Sequence, residues 1–261
     1  MTGRYDELAR VLDEATRTGE AVPQLSDGRA LDLADAYAIQ RAGIALREQR
    51  GERVAGAKLG FTSRAKAAQM GVSDVIIGTL TDTMAATGTL DLTRSIHPRV
   101  EPEVAFLLGS DVDPGAPDAD LAAAVTHVAP ALEVIDSRYR DFRFSLADVV
   151  ADNTSASAYV VGEWVPVADV RARLDLAALP VVLHVDGVEA ARGSTADILG
   201  DPWAALPALQ RMAARHGQPL RRGGVLLAGA ATAAVPLQAG VLVTATVAGL
   251  GAVDLATSGE L

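Results

Sequence analysis

Glu101 and Glu103 stand one residue apart in the stretch RVEPEVAF, residues 99–106, among mostly apolar neighbours. In a strand, successive side chains point to opposite faces. The two glutamates therefore share a face with Ala105 and Leu107, while Val100, Val104 and Phe106 take the face turned to the core. Pro102 has no N–H to give to a ladder and places this part of the strand at an edge or rim. An isolated E-x-E of this kind is ordinarily a solvated face. Glu133 alters the balance. It stands in ALEVI among Ala, Leu, Val and Ile, where an unpaired carboxylate is costly and needs a partner or a proton. Three glutamates from two strands, with no cysteine and no histidine beside them, make an all-oxygen ligand set. That set suits a hard cation such as Mg2+ or Mn2+, with the remaining positions left to water or substrate.

Lys58 lies between Ala57 and Leu59 in VAGAKLGFTS. Such a lysine snorkels to water or points into a polar site, and composition alone favours snorkelling. Near a divalent cation its pKa falls, and it can shuttle protons or steady an enolate. Asp82 in GTLTDTM, and Asp152, Asn153, Ser155 and Ser157 in VVADNTSAS, are polar groups that a cap or turn would use equally well. Thr232 in GAATAAVPL sits in a small-residue run, where a backbone approaches a ligand or simply packs tightly. His97, His127, His184 and His216 are scattered. His127 and His216 fall near expected helix C-termini, where a cation is favoured. No G-x-S-x-G and no G-x-G-x-x-G is present, which argues against a serine hydrolase and a dinucleotide fold.

The elements that must position these residues change in texture along the 261-residue chain. Leu8, Val11, Leu12 and Ala15 fall at helical spacing before Gly19, and Asp32 can cap a second helix closed by Gly51. Residues 1–52 thus read as a helical segment packed on a main domain, 53–261. That domain reads as short strands broken by Gly, Pro and Asp, with helices over SRAKAAQM (Ser63 as cap, Gly71 after it), DADLAAAVTHV, and DPWAALPALQRMAARHG between Asp201 and Gly217. Asp186-Gly187 marks a type I′ hairpin. The pattern is α+β, with an antiparallel or mixed sheet rather than a doubly wound one. Hydrophobic residues make up 49% and a net charge of −10 argues against nucleic acid and anionic lipid as partners. With no cysteine, disulfides and thiolate chemistry are excluded. The polar N-terminus reads as no signal peptide, and no apolar run has the length of a membrane span. The expectation is a soluble, cytoplasmic protein.

KLGFTSRAKAAQMGV, IHPRVEPEVAFLL, EVIDSRYRDFRFSLADVVADNTSAS, ILGDPW and TAAVPLQAG occur in the order seen in the 4-oxalocrotonate decarboxylase and 2-hydroxypentadienoate hydratase family. The chain resembles that family from about residue 30 to residue 253. The resemblance implies a fumarylacetoacetate hydrolase-like twisted mixed β-roll with peripheral helices and a helical N-terminal segment. It implies Mg2+ or Mn2+ on Glu101, Glu103 and Glu133, an active-site lysine at Lys58, and an active-site aspartate at Asp82. Ser155, Thr232 and Asn153 would lie near the substrate. The implied reaction is metal-dependent decarboxylation of 2-oxo-hex-3-enedioate to 2-hydroxypenta-2,4-dienoate and CO2, in meta-cleavage aromatic catabolism. AKLG, with a single lysine, AKAAQMGV, SRYRDFRF and TAAVPL resemble the decarboxylase versions. The alternatives are a hydratase acting on 2-hydroxypenta-2,4-dienoate and an inactive structural partner in a decarboxylase-hydratase assembly. Homo-oligomers, possible complexes with a hydratase, and a small unsaturated 2-oxo diacid as substrate are implied partners. Two departures stand out: Asp254 in the tail GLGAVDLATSGEL, and the absence of an aromatic residue before the glycine of IIGTLTD.

Overall fold

The computed structural model describes residues 2–63 and 74–259. The helix expected from Ser63 to Met70, with its Gly71 stop, lies outside the described residues. Helix α1 (Thr2–Thr18) buries Leu8, Leu12 and Ala15. Val11, expected on the same stripe, is exposed, because the buried face turned to α2 (Leu33–Gln49) is rotated towards Ala9, which is buried in its place. Gly19 ends α1 at φ +72 and donates to the Ala15 carbonyl. The Asp32 carboxylate caps α2 by accepting from Asp35 N at 2.8 Å. These helices share one core with the sheets. Ile39 and Leu12 pack in the same buried cluster as Val104 and Phe106. Gln40, buried on α2, donates to the Ile77 carbonyl on a strand and to the Val150 carbonyl on the short helix Leu146–Ala151, and so docks α2 on the body of the fold.

Two sheets form the body. The larger runs β2 (Ile76–Thr81), β1 (Val54–Gly60), β10 (Val225–Ala230), β4 (Arg99–Leu108), β5 (Val125–Ile135), β6 (Ala156–Val161). Short β11 (Val235–Pro236) and β7 (Val165–Pro166) add to β4 and β5. The smaller runs β3 (Thr89–Asp91), β13 (Gly251–Ser258), β12 (Leu242–Val247), β8 (Pro180–Val185), β9 (Val188–Ser194). Most pairs are antiparallel, while β1–β10 and β13–β3 are parallel. The mixed sheet is therefore as expected. So is the hairpin at Asp186-Gly187, where φ values of 49° and 77° join β8 to β9. Asp201 and Gly217 bracket a 3-10 turn and the helix α6 (Ala205–His216), as their cap chemistry requires. Between β4 and β9 lie the short helices α3 (Leu121–Ala124), α4 (Leu146–Ala151) and α5 (Val167–Arg173).

Three expectations are corrected. DADLAAAVTHV is not a helix: a single turn, α3, gives way at Val125 to β5, whose branched residues pair with β4. His127 accordingly sits on a strand opposite Leu107, not at a helix end. Pro102 is not at an edge, since β4 lies between β10 and β5. Its missing N–H is tolerated because the β10 ladder is irregular there, between Leu227 and Ala230, and its carbonyl still accepts from Ala231 N at 2.8 Å. Both faces of β4 are buried, as an acid cluster shared with Glu133 requires. Val100 and Leu132 pack on the smaller sheet, and the opposite face, with Glu101, Glu103 and Ala105, is buried as well.

His216, at the end of α6, stacks on Tyr37 of α2 with ring centroids 3.5 Å apart. Tyr37 in turn accepts from Ile77 N through its hydroxyl. Desolvation, then Arg215 and Arg41, lowers the His216 pKa from 6.5 to about 4. The unfolded chain therefore takes the proton first. Stability from this contact is complete above pH 6.5 and is lost as pH falls towards 4. Melting temperature should fall over that window more in the wild type than in His216→Phe, which keeps the stack; identical pH profiles would refute the assignment.

Candidate active site

Strand register gathers the predicted acids. Glu101 lies directly opposite Glu133 in the β4–β5 ladder, and Glu103 is two residues along β4 on the same face. Lys58 on β1 pairs with Leu227, which pairs with Ala105, two residues from Glu103. Cross-strand partners share a face, so Lys58 faces the three glutamates. One oxygen from each glutamate can be chosen so that all lie within 4.8 Å of one another. Glu103 and Glu133 are 0% exposed and Lys58 3%. The snorkelling alternative for Lys58 is thereby removed: its Nζ stands 3.0 Å from Glu133 Oε1. At the irregularity in β10, Gly229 at φ +117 turns its N–H to Glu103 Oε2, 2.7 Å away.

Burial pushes the Glu103 carboxyl well above the usual carboxylate range, with Glu133 and Glu101 adding to the shift. Burial raises Glu133 too, against the opposing pull of Lys58. Desolvation works against charge on Lys58, but Glu133, Glu101 and Glu103 outweigh it and its pKa rises. Among the described residues, Glu103 Oε1 and Glu133 Oε2 are buried with no hydrogen-bond partner. Converging, orphaned carboxylate oxygens of this kind fit a divalent cation, which takes oxygen ligands and offsets the charge.

The cluster opens into a cavity of about 330 Å3, with Lys58 and Glu101 on one wall and Phe61, Phe142 and Phe144 among the apolar residues of the others. Four non-glycine residues that line it have positive φ: Phe61, Phe142, Thr154 and Ser155. Such backbone is costly for bulky or branched side chains and concentrates at functional sites. Arg138, which sequence reasoning passed over, holds part of it in place. Its Nε meets the Asp152 carboxylate, its Nη2 donates to the Asp152 carbonyl at 2.6 Å, and its Nη1 donates to the Ala156 carbonyl at 3.2 Å. Burial raises Asp152 to about 6 despite that partner. Asp152 is therefore more than the cap or turn residue expected; its signal was a buried acid 14 residues from an arginine in DSRY.

The other candidates divide. Ser155 lines the cavity, with its hydroxyl 3.4 Å from Asp152 Oδ2. Thr232 lies beside the cavity-lining Ala233 and Ala234, but its hydroxyl donates to the Ala233 carbonyl and its methyl faces Gly193. Asn153 is spent on β2: its amide oxygen accepts from Thr79 N and its amide nitrogen donates to Thr79 O, each at 2.8 Å. Asp82 is not brought to the cluster. It is exposed in a 3-10 turn beyond β2 and accepts from Arg53 N at 3.0 Å. Strand β2 carries it past the site, because the Lys58 row is already met at Gly78. Asp254, the unusual tail residue, is exposed on β13 and accepts from the Thr244 hydroxyl, away from the cavity.

Residues 53–255 match the fumarylacetoacetate (FAA) hydrolase C-terminal family model. The chain belongs to the fumarylacetoacetate hydrolase family. Within that family, it is 48% identical to a 4-oxalocrotonate decarboxylase of Pseudomonas sp. over 98% of this chain and 99% of the relative. It is 35% identical to a 2-keto-4-pentenoate hydratase of Paraburkholderia xenovorans strain LB400, over 95% of this chain and 93% of the relative. The 4-oxalocrotonate decarboxylase from Pseudomonas putida G7, solved with magnesium and adipate, superposes with a TM-score of 0.91 at 32% identity, covering 98% of both chains. The fumarylacetoacetate hydrolase-like fold expected from sequence is the one observed. Among the described residues no helix is long and apolar enough to cross a membrane.

Glu103→Gln should abolish stabilisation by Mg2+ yet raise the melting temperature of the metal-free protein. The amide keeps an acceptor for Gly229 N–H and replaces the carboxyl whose charged form burial, Glu133 and Glu101 disfavour most. Relief of roughly 1–2 kcal/mol corresponds to about 2–8 °C in a chain of this size. Calorimetry with and without Mg2+ reads both effects. A metal-free variant that melts lower, or one that Mg2+ still stabilises fully, contradicts the assignment.

Proposed function

We propose that the protein is a cytoplasmic, metal-dependent decarboxylase that converts 2-oxo-hex-3-enedioate to 2-hydroxypenta-2,4-dienoate and CO2. The observation that carries this reading is the buried Glu101, Glu103, Glu133 and Lys58 cluster facing an aromatic-walled cavity. Its likeness to 4-oxalocrotonate decarboxylases supports the choice of substrate. Glu101, Glu103 and Glu133 would hold Mg2+ or Mn2+. When bound, that ion supplies a Lewis acid for the ketone and carboxylate oxygens of a 2-oxo acid.

The chain's own groups do the rest. The bond between the distal carboxylate and its carbon breaks, CO2 leaves, and the electron pair passes through the conjugated chain to the ketone oxygen. Lys58, its Nζ 3.0 Å from Glu133 Oε1 beside the metal ligands, donates a hydrogen bond where that negative charge develops and can supply the proton that makes the dienol. Phe61, Phe142 and Phe144 keep water from the conjugated chain. Ser155 and the Thr232 segment shape the cavity wall. Asp82 has no part in this scheme, since its carboxylate is turned to Arg53.

Hydration of 2-hydroxypenta-2,4-dienoate is the second reading, favoured by the likeness to hydratases. A complete cluster with Lys58 in contact weighs against an inactive structural role. Homo-oligomers, and association with a hydratase that would consume the product, form part of the same proposal.

Adding protein and Mg2+ to 2-oxo-hex-3-enedioate should bleach its ultraviolet absorbance and release CO2 in equal amounts. Lys58→Met should lower kcat by about 10²- to 10⁴-fold while Mg2+ still raises the melting temperature. Absence of CO2 release overturns the decarboxylase reading, and hydration of the dienol without it establishes the second.

A further inference from the structure

Arg99 is a cation at the cavity wall whose donors are not engaged by an acid. It precedes Glu101 by two residues on β4 and so projects from the same face of the strand, roughly 6–7 Å along it. Its guanidinium carbon lies 4.3 Å from the centroid of the Phe142 ring. Among the described residues no carboxylate lies in ion-pair contact with Arg99. Stacking on a ring face fixes the guanidinium plane without using its N–H groups. Among the described residues, all five in-plane donors therefore remain for a ligand, in the forked geometry that matches a carboxylate.

The fold goes to some length to set this pair. Asp136 accepts from Ile96 N and His97 N, each at 2.9 Å, and fixes the approach to β4. Phe142 reaches Arg99 from a turn in which Asp141 and Phe142 have φ of 57° and 55°, a conformation that costs about 1–3 kcal/mol per residue. Val22 clamps that turn by donating to the Arg138 carbonyl and accepting from Arg140 N. The rings of His97 and Phe144 pack on Phe142 at 5.3 and 5.6 Å. Strain sustained by contacts from three parts of the chain is the mark of a position whose geometry matters.

We propose that Arg99, backed by Phe142, binds the second carboxylate of a linear dicarboxylic 2-oxo acid and so selects diacids over monoacids. The inference rests on the reading that the glutamate cluster receives the 2-oxo acid end. With that end anchored at Glu101, a six-carbon chain laid along β4 brings its far carboxylate to Arg99. A monoacid of similar length would leave the guanidinium facing apolar carbon, with its donors unanswered, and so would bind less tightly.

The test is calorimetric binding of 2-oxoadipate and of 2-oxopentanoate to the Mg2+-loaded protein. Neither probe has the double bond that the proposed decarboxylation requires. The wild type should prefer the diacid by roughly 10- to 100-fold, the range expected for a hydrogen-bonded charge pair. Arg99→Gln should erase that preference while leaving 2-oxopentanoate affinity within about twofold. Arg99→Lys, which keeps the charge but loses the fork, should fall between them. Absence of a diacid preference in the wild type overturns the proposal. So does a preference that survives in Arg99→Gln, or a loss of both ligands together in both variants. A wild type that shows the preference but releases no CO2 from 2-oxo-hex-3-enedioate would sink the proposed reaction and leave this inference standing.

Discussion

Two glutamates placed directly opposite each other in a dry β-ladder are the constraint on which the rest of this structure turns. Glu101 faces Glu133 across β4 and β5, and Glu103 stands beside them with no exposed surface. Like charges in that relation destabilise a sheet. A slip of one residue would relieve them but would carry every apolar side chain of the strand to the wrong face. Register and charge cluster are therefore one property. Lys58, the Gly229 N–H freed at the irregular stretch of β10, and a divalent cation are three answers to the same electrostatic demand.

A second cost is concentrated on the far wall of the cavity. Asn153, Thr154 and Ser155 are three successive non-glycine residues at positive φ. Arg138 spans them, gripping Asp152 on one side and the Ala156 carbonyl on the other. Gly78 completes the fit: a Cβ there would come within 2.3 Å of the Thr154 hydroxyl oxygen. The N-terminal helices bear on the same wall, because Gln40 of α2 binds the Val150 carbonyl at the base of this loop. The helical segment is thus tied to the shape of the site as well as to the common core.

What could be read from sequence was whatever a local physical cost makes visible. An acid in ALEVI is conspicuous because burial is expensive, and Asp186-Gly187 because its turn requires positive φ. Helix caps at Asp32, Asp201 and Gly217 were legible for the same reason. What could not be read depended on distant partners. Pro102 looked like an edge residue because the irregularity in β10 that accommodates it lies more than a hundred residues away. Val125 looked helical after an alanine run, and its strand pairing decided otherwise. Asp82 carried no local sign of how far β2 would take it from Lys58. Arg99 and Phe142 meet through a turn whose positive φ values fall on Asp and Phe, residues that do not announce it.

Charge geometry thus joins the fold to the chemistry: the sheet concentrates carboxylates, and the ion they demand is the one a 2-oxo acid can share. The most direct test is diffraction from crystals soaked in Mn2+, using the anomalous signal of the metal. The account requires a peak within bonding distance of carboxylate oxygens from Glu101, Glu103 and Glu133, at about 2.0–2.3 Å, the range of hard-cation–oxygen bonds. No peak among those three residues, or an ordered ion held elsewhere while Lys58 alone answers the carboxylates, would contradict it.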